Sequence, residues 1–266
     1  MHSEILEIIM KTIFKKYDKH AITALPRVIF EGEIKVIDHP EDVETAVDFL
    51  LAQDILGVDT ETRPSFKRGV SYEVCLLQVS TEDVCFLFRL NCVGMHPAII
   101  RFLTDKKVPK VGLSWHDDLN QLHKKAEFEP GNFIEIQDMA KDLGLIDMSL
   151  QKIYANLFHQ KISKAQRLSN WEVSELKDSQ KIYAATDAWA CIQLYKEFNK
   201  LNETHDYVLI EPKIVEPQAE SQVDSQAESH AEFQVESQAE PQVELISQSK
   251  HHLEAAYIIR CNTDTK

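Results

Sequence analysis

Glycine is scarce in this chain: 7 residues in 266, where an average protein carries about 7%. Neither G-x-G-x-x-G nor G-x-x-x-x-G-K occurs, which excludes a Gly-rich loop of the kind that cradles nucleotide phosphates. Cysteine is sparse and odd in number. Cys75, Cys85, Cys92, Cys191 and Cys261 form no C-x-x-C pair, and most sit in apolar runs such as Val84-Cys85-Phe86, so they read as reduced, buried thiols. No H-E-x-x-H or G-x-S-x-G motif is present, which argues against a structural zinc site and against a serine nucleophile. No apolar stretch approaches the ~18 residues needed to span a bilayer. The first ten residues, MHSEILEIIM, carry two glutamates and no basic segment. The expectation is a soluble protein of the cytoplasm, with no membrane contact.

Basic charge is also in deficit. There are 43 acidic residues against 29 Lys and Arg, a net charge of −14, which as a total opposes binding to a phosphate backbone. The distribution matters more. Residues 1–200 hold 30 acids and 25 bases, whereas residues 201–266 hold 13 and 4, so nine of the fourteen net charges belong to the last quarter of the chain. There, from Gln218 to Leu245, seven tetrads repeat: QAES, QVDS, QAES, HAEF, QVES, QAEP, QVEL. A four-residue step at 100° per residue turns any Ala/Val stripe by about 40° per repeat. Stacked acids at i, i+4 repel, and Pro241 interrupts the run. A disordered acidic tail is expected, with capacity to engage a protein partner.

Hydrophobic periodicity divides the rest. Ile5, Ile9 and Ile13 with Leu6 and Met10 predict a helix to about Tyr17, in an extension covering residues 1–32. A main domain is expected over residues 33–200, followed by the tail at 201–266. The domain opens with a strand at Glu33–Ile37, and His39-Pro40 starts an amphipathic helix. Ile55–Glu61, Val74–Ser80 and Val84–Leu90 read as neighbouring antiparallel strands. Then come a strand at Val108–Ser114, a helix at Asp117–Lys125, a strand at Phe133–Asp138, and helices near Leu150–Phe158 and Glu175–Leu201. The order predicts an α/β fold, a mixed sheet flanked by helices.

Three sites carry candidate chemistry. Asp59-Thr60-Glu61 closes an apolar run, and on a strand residues i and i+2 share a face, so two carboxylates converge there. Such convergence is costly unless a cation neutralises it, and Mg²⁺ takes oxygen ligands from one or two carboxylates plus substrate phosphate. Spacing alone is a weak signal. Asp42-Val43-Glu44 is also D-x-E, but on a helix its side chains diverge. The second site is Asp118, in the first turn of a helix that follows Val111-Gly112-Leu113-Ser114. The third is Tyr183-Ala184-Ala185-Thr186-Asp187, where helical i, i+4 spacing makes phenol and carboxylate neighbours.

Taken in order, Asp59, Glu61, Asp118, Tyr183 and Asp187 resemble the DEDD superfamily of 3′ to 5′ exonucleases in its tyrosine-bearing branch, over roughly residues 33–200. The likeness extends to Leu76-Leu77-Gln78-Val79-Ser80, Lys110-Val111-Gly112 and Lys164-Ala165-Gln166-Arg167-Leu168-Ser169-Asn170-Trp171, and is similar to Werner-type helicase exonuclease domains and ribonuclease D. Ile182 stands where the histidine-bearing branch has its histidine, and Ala165 where the family usually has Ser. The resemblance implies an RNase H-like fold and two Mg²⁺ or Mn²⁺ ions. Asp59, Glu61 and Asp187 hold the first, Asp59 bridges to the second, and Asp118 acts largely through its water ligands. Tyr183 orients the attacking water, its ordinary pKa near 10 making it a poor base. The implied reaction releases nucleoside 5′-monophosphates from single-stranded or 3′-recessed nucleic acid, with DNA slightly favoured. The alternatives are an exoribonuclease that processes RNA 3′ ends and a non-catalytic binding or scaffold protein on the same fold. Candidate nucleic-acid contacts are Thr60, Arg63, Lys67, Arg68, Lys164 and Arg167, with Trp115 or His116 as a base-stacking platform. Lys124, Lys125 and the run Lys106 to Lys110 are weaker candidates.

Overall fold

The structure is a computed structural model that describes residues 10–211. The tetrad repeat and the first nine residues lie outside this range, as does most of the tail expected over residues 201–266, whose start is the end of a helix and a strand, Tyr207–Ile210. In chain order the strands are β1 (Lys11–Phe14), β2 (Glu33–Ile37), β3 (Leu56–Thr62), β4 (Val74–Ser80), β5 (Val84–Arg89), β6 (Lys110–Gly112), β7 (Phe133–Glu135) and β8 (Tyr207–Ile210). The helices are α1 (Lys19–Thr23), α2 (Pro40–Leu50), α3 (Leu90–Val93), α4 (Pro97–Thr104), α5 (Trp115–His123), α6 (Ile136–Asp142), α7 (Leu150–Phe158) and α8 (Asp178–Thr204).

Six strands form one mixed sheet in the order β2-β5-β4-β3-β6-β7, with β3, β4 and β5 antiparallel and the outer neighbours parallel. The alternation of β3 explains how the sheet is covered. Leu56 and Val58 join a core with Val43, Val47 and Leu50 of α2 and Ile99, Phe102 and Leu103 of α4. Gly57 turns the other way, against α8: a Cβ built on it would lie 2.0 Å from the carbonyl oxygen of Ala188. Strand and helix therefore meet backbone to backbone, and glycine is required for that approach. By the period of two, Asp59 and Glu61 share the face of Gly57.

Several expectations about elements need correction. Lys11–Phe14 is a strand, not a continuation of a helix, because it pairs in parallel with Tyr207–Ile210 and buries Ile13. A partner far away in sequence overrides the local periodicity. The strand expected at Val108–Ser114 spans only Lys110–Gly112, since Ser114 takes left-handed φ/ψ of 65° and 30°. The strand expected at Phe133–Asp138 stops at Glu135, whose own side chain caps α6.

Candidate active site

β3 delivers Asp59 and Glu61, and α8 delivers Asp187 from the turn next to Ala188. One carboxylate oxygen from each of Asp59, Glu61 and Asp187 lies within 4.8 Å of the others. Asp118 comes from the first turn of α5 and is tethered to the strand, the Thr60 hydroxyl donating to its carboxylate. The fifth residue, Tyr183, is 9% exposed and stands one helical turn before Asp187 on α8, where phenol and carboxylate interact electrostatically. The four candidate carboxylates and the phenol thus occupy one region. The control motif Asp42-Val43-Glu44 lies on α2, where Glu44 pairs at the surface with Arg101 at 2.9 Å.

Electrostatics show what the cluster lacks. Burial, then repulsion from Asp187, Asp118 and Glu61, raises Asp59 well above the ordinary carboxylate range. Burial, with Asp187 and Asp118, pushes Glu61 up to about 9. Burial pushes Asp187 up to about 7, opposed by the neighbouring Tyr183 phenol. Asp118 rises to about 6 through burial, against the Thr60 hydroxyl and with repulsion from Asp117 and Glu135. Four desolvated carboxylates with no cationic side chain among these causes are a poor protein interior but a suitable oxygen-donor set for a hard divalent cation. Burial, then the charge of Asp187, drives the Tyr183 phenol far above its usual value, so it serves as a hydrogen-bond donor rather than a base.

The neighbourhood of Tyr183 is built by residues the motifs do not include. Trp171, fully buried, packs its ring 6.0 Å from the phenol. The loop carrying it is pinned by buried Arg89, whose guanidinium donates to the carbonyls of Val173 and Ser174. Thr186 accepts from the backbone N–H of Phe30 at 3.0 Å, fixing the segment before β2 to α8 beside Asp187. Only the family likeness of the stretch from Lys164 to Trp171 hinted at this support. The carbonyl contacts of Arg89 leave no local sequence signature.

The expected nucleic-acid contacts divide. Lys67, Arg68, Lys164, Arg167 and His116 are exposed, while Thr60 is half-buried and engaged by Asp118. Arg63 is bound on both sides, stacked 4.6 Å from the Tyr72 ring and 3.2 Å from Glu172. Trp115 does not face solvent: it is 3% exposed and packs against Phe133 at 4.9 Å, so it belongs to the core and not to a stacking platform. Lys110 is fully buried and donates to the carbonyls of Asp105 and Val108, which removes it from the basic rim. Lys124 and Lys125 bond to Gln121 and Glu73. Missed from sequence was Phe66, 78% exposed on the loop after β3. With Leu168 and Arg63 it borders a cavity of about 370 Å³.

Comparison with known proteins gives this arrangement a family. The profile described as "3'-5' exonuclease" matches residues 34–203, and the chain belongs to that family. The bifunctional 3'-5' exonuclease/ATP-dependent helicase WRN of Mus musculus is 29% identical over 157 residues, 57% of this chain and 11% of that protein. A 3'-5' exonuclease of Arabidopsis thaliana is 29% identical over 174 residues, 63% of this chain and 58% of its own. Ribonuclease D of Bartonella henselae is 24% identical over 194 residues, 68% of this chain and 47% of its own. The chain thus spans less than two thirds of each of these relatives. Among solved structures, the Nibbler EXO domain of Aedes aegypti matches with a TM-score of 0.59 at 18% identity, over 66% of this chain and 92% of that one, a likeness of fold. No helix among the described residues is long and apolar enough to cross a membrane.

Proposed function

We propose that this chain is a divalent-metal-dependent exonuclease of the tyrosine-bearing type. It hydrolyses the terminal phosphodiester at nucleic-acid 3′ ends and releases nucleoside 5′-monophosphates. The observation that carries the reading is the convergence of Asp59, Glu61 and Asp187 within 4.8 Å, with the Tyr183 phenol one helical turn before Asp187 on α8. Asp59, Glu61 and Asp187, with Asp118 beside them, would hold two Mg²⁺ or Mn²⁺ ions, which when bound would supply Lewis acidity for an in-line displacement. The chain's own part is positional. The carboxylates fix the donor geometry, Tyr183 donates a hydrogen bond that orients the entering water, and Lys67, Arg68, Lys164 and Arg167 hold the backbone phosphates.

The catalytic domain is assigned to residues 33–200, and the acidic repeat is assigned to contacts with a protein partner. Buried Cys75, Cys85 and Cys191, with thiol pKa values raised by burial, support a reducing cytoplasmic location. The relatives include both a helicase-linked exonuclease and a ribonuclease D, so DNA, slightly favoured, and RNA 3′ ends are both candidate substrates. The test is to incubate the full chain with matched 5′-labelled DNA and RNA strands and Mg²⁺ or Mn²⁺. A descending ladder that EDTA and Asp187→Asn both suppress is expected. Intact strands under every metal condition would overturn the reading.

A further inference from the structure

Glu135, the last residue of β7, makes three backbone hydrogen bonds with one carboxylate. Oε1 accepts from Ser114 N–H at 2.9 Å and from Gln137 N–H at 2.9 Å, and Oε2 accepts from Trp115 N–H at 2.8 Å. It thereby caps two helices at once, α6, whose N-cap it is, and α5, whose own N-cap residue makes no capping bond. Ser114 is freed from that duty by its left-handed backbone. Its hydroxyl instead accepts from Gln137 Nε2 at 2.9 Å, and the same amide also reaches the Met148 carbonyl. A carboxylate at a helix N-terminus satisfies orphan N–H groups and opposes the helix dipole. Here it is supplied from a neighbouring strand.

The position of α5 matters because Asp118 is its fourth residue. Two restraints act on where that carboxylate goes: the Thr60 hydroxyl on its side chain and the Glu135 clamp on the backbone one turn earlier. We infer that Glu135 is a positioning residue for the active site: by clamping the start of α5 it sets Asp118 beside Asp59 and Glu61 for metal binding. This inference rests on the exonuclease reading for its significance, though not for its test. Glutamine at 135 would point an amide N–H₂ toward N–H donors and could not hold all three. Aspartate would keep the charge, and with it the complement to both helix dipoles, but falls one methylene short.

The test measures Mn²⁺ binding to the full chain by electron paramagnetic resonance without nucleic acid, and hydrolysis of a 5′-labelled strand. The proteins are wild type, Glu135→Gln, Glu135→Asp, Asp118→Ala and each double variant. Glu135→Gln is expected to weaken Mn²⁺ binding about tenfold, the lower end for residues that orient metal ligands. Activity should recover at raised Mn²⁺ with KM for the strand unchanged, and the effect should vanish in the Asp118→Ala background. Glu135→Asp should show a smaller loss with the same dependence on Asp118, which keeps the inference falsifiable if the glutamine variant does not fold. Wild-type Mn²⁺ affinity in both variants, or an equal loss without Asp118, would overturn it. If wild type binds Mn²⁺ but degrades nothing, the exonuclease reading fails while the binding comparison still decides the role of Glu135.

Discussion

At the residue scale, Tyr183 is the member of the site whose chemistry differs most from what its neighbours suggest. A phenol beside a cluster of carboxylates invites the role of general base. Burial and the charge of Asp187 instead hold its proton on. Tyr183→Phe removes one oriented donor and leaves every carboxylate in place. Its expected effect is a kcat lowered by roughly 10²-fold, at the low end for a positioned proton-bridging side chain, with Mn²⁺ affinity unchanged and KM moving much less. Loss of Mn²⁺ binding in this variant would show that the phenol organises the ligands, not the water. Phe66 offers a second residue-scale expectation. An exposed aromatic ring beside a cavity, on the loop that follows the strand of Asp59 and Glu61, can stack on a base, at about 1–3 kcal/mol. Phe66→Ala should raise KM for single strands roughly tenfold and leave kcat within a factor of two, measured by steady-state hydrolysis. Spacing made two local pairs legible, Asp59 with Glu61 on a strand and Tyr183 with Asp187 on a helix, whereas their grouping with Asp118 came only from the family resemblance. The sequence could not locate the aromatic contact, since Trp115 and Phe66 differ only in what packs over them.

At the element scale, the site depends on how closely β3 and α8 approach. Asp59 lies two residues beyond Gly57, and Asp187 lies one before Ala188, so the contact between Gly57 and the Ala188 carbonyl sets the spacing of the carboxylates. A methyl at position 57 would also come within 2.8 Å of the Ile192 side chain, and the backbone oxygen at 2.0 Å cannot rotate away. Gly57→Ala is therefore expected to destabilise the fold by about 2–3 kcal/mol through overpacking, seen as a lower denaturation midpoint with little change in slope. It should weaken Mn²⁺ binding even in the fraction that remains folded. Full stability with normal Mn²⁺ binding would refute the close approach. The elements that sequence identified well, β4 at Val74–Ser80, α7 at Leu150–Phe158 and α2 after His39-Pro40, are those whose periodicity and caps are local. α3 and α4 went unassigned because the segment from Leu90 to Thr104 mixes apolar residues with Gly94 and Pro97. β1 and β8 were missed because each exists only through the other, with Lys11 registered on Tyr207.

At the scale of the molecule, the net charge of −14 does not describe the surface that meets a substrate. Nine of those charges lie beyond residue 200, and four carboxylates of the remaining region face one another at the site. That cluster makes stability depend on pH and metal in a definite direction. With a folded-state value of about 9 for Glu61 against an ordinary 4.5, the folded protein binds protons more readily than the unfolded chain between those limits. The contribution of such a group is fully present below about pH 4.5 and is lost as pH rises through about 9. Asp187 and Asp118, with values of about 7 and 6, act the same way over the lower part of that window. The metal-free chain should therefore lose melting temperature between pH 5.5 and pH 8.5 more steeply than a Glu61→Gln variant, in which the Glu61 contribution is absent. Metal must displace the same protons, so the ion should bind more tightly at the higher pH. Mn²⁺ at a hundredfold excess over its dissociation constant stabilises by about 2.7 kcal/mol, roughly 5 to 10 °C for a domain of this size. The predicted signature in differential scanning fluorimetry is a large Mn²⁺-induced rise at pH 8.5 that shrinks toward pH 5.5 in wild type. An equal rise at both pH values, or a metal-free chain that grows more stable from pH 5.5 to 8.5 relative to Glu61→Gln, would show that these carboxylates are not held close together without a cation.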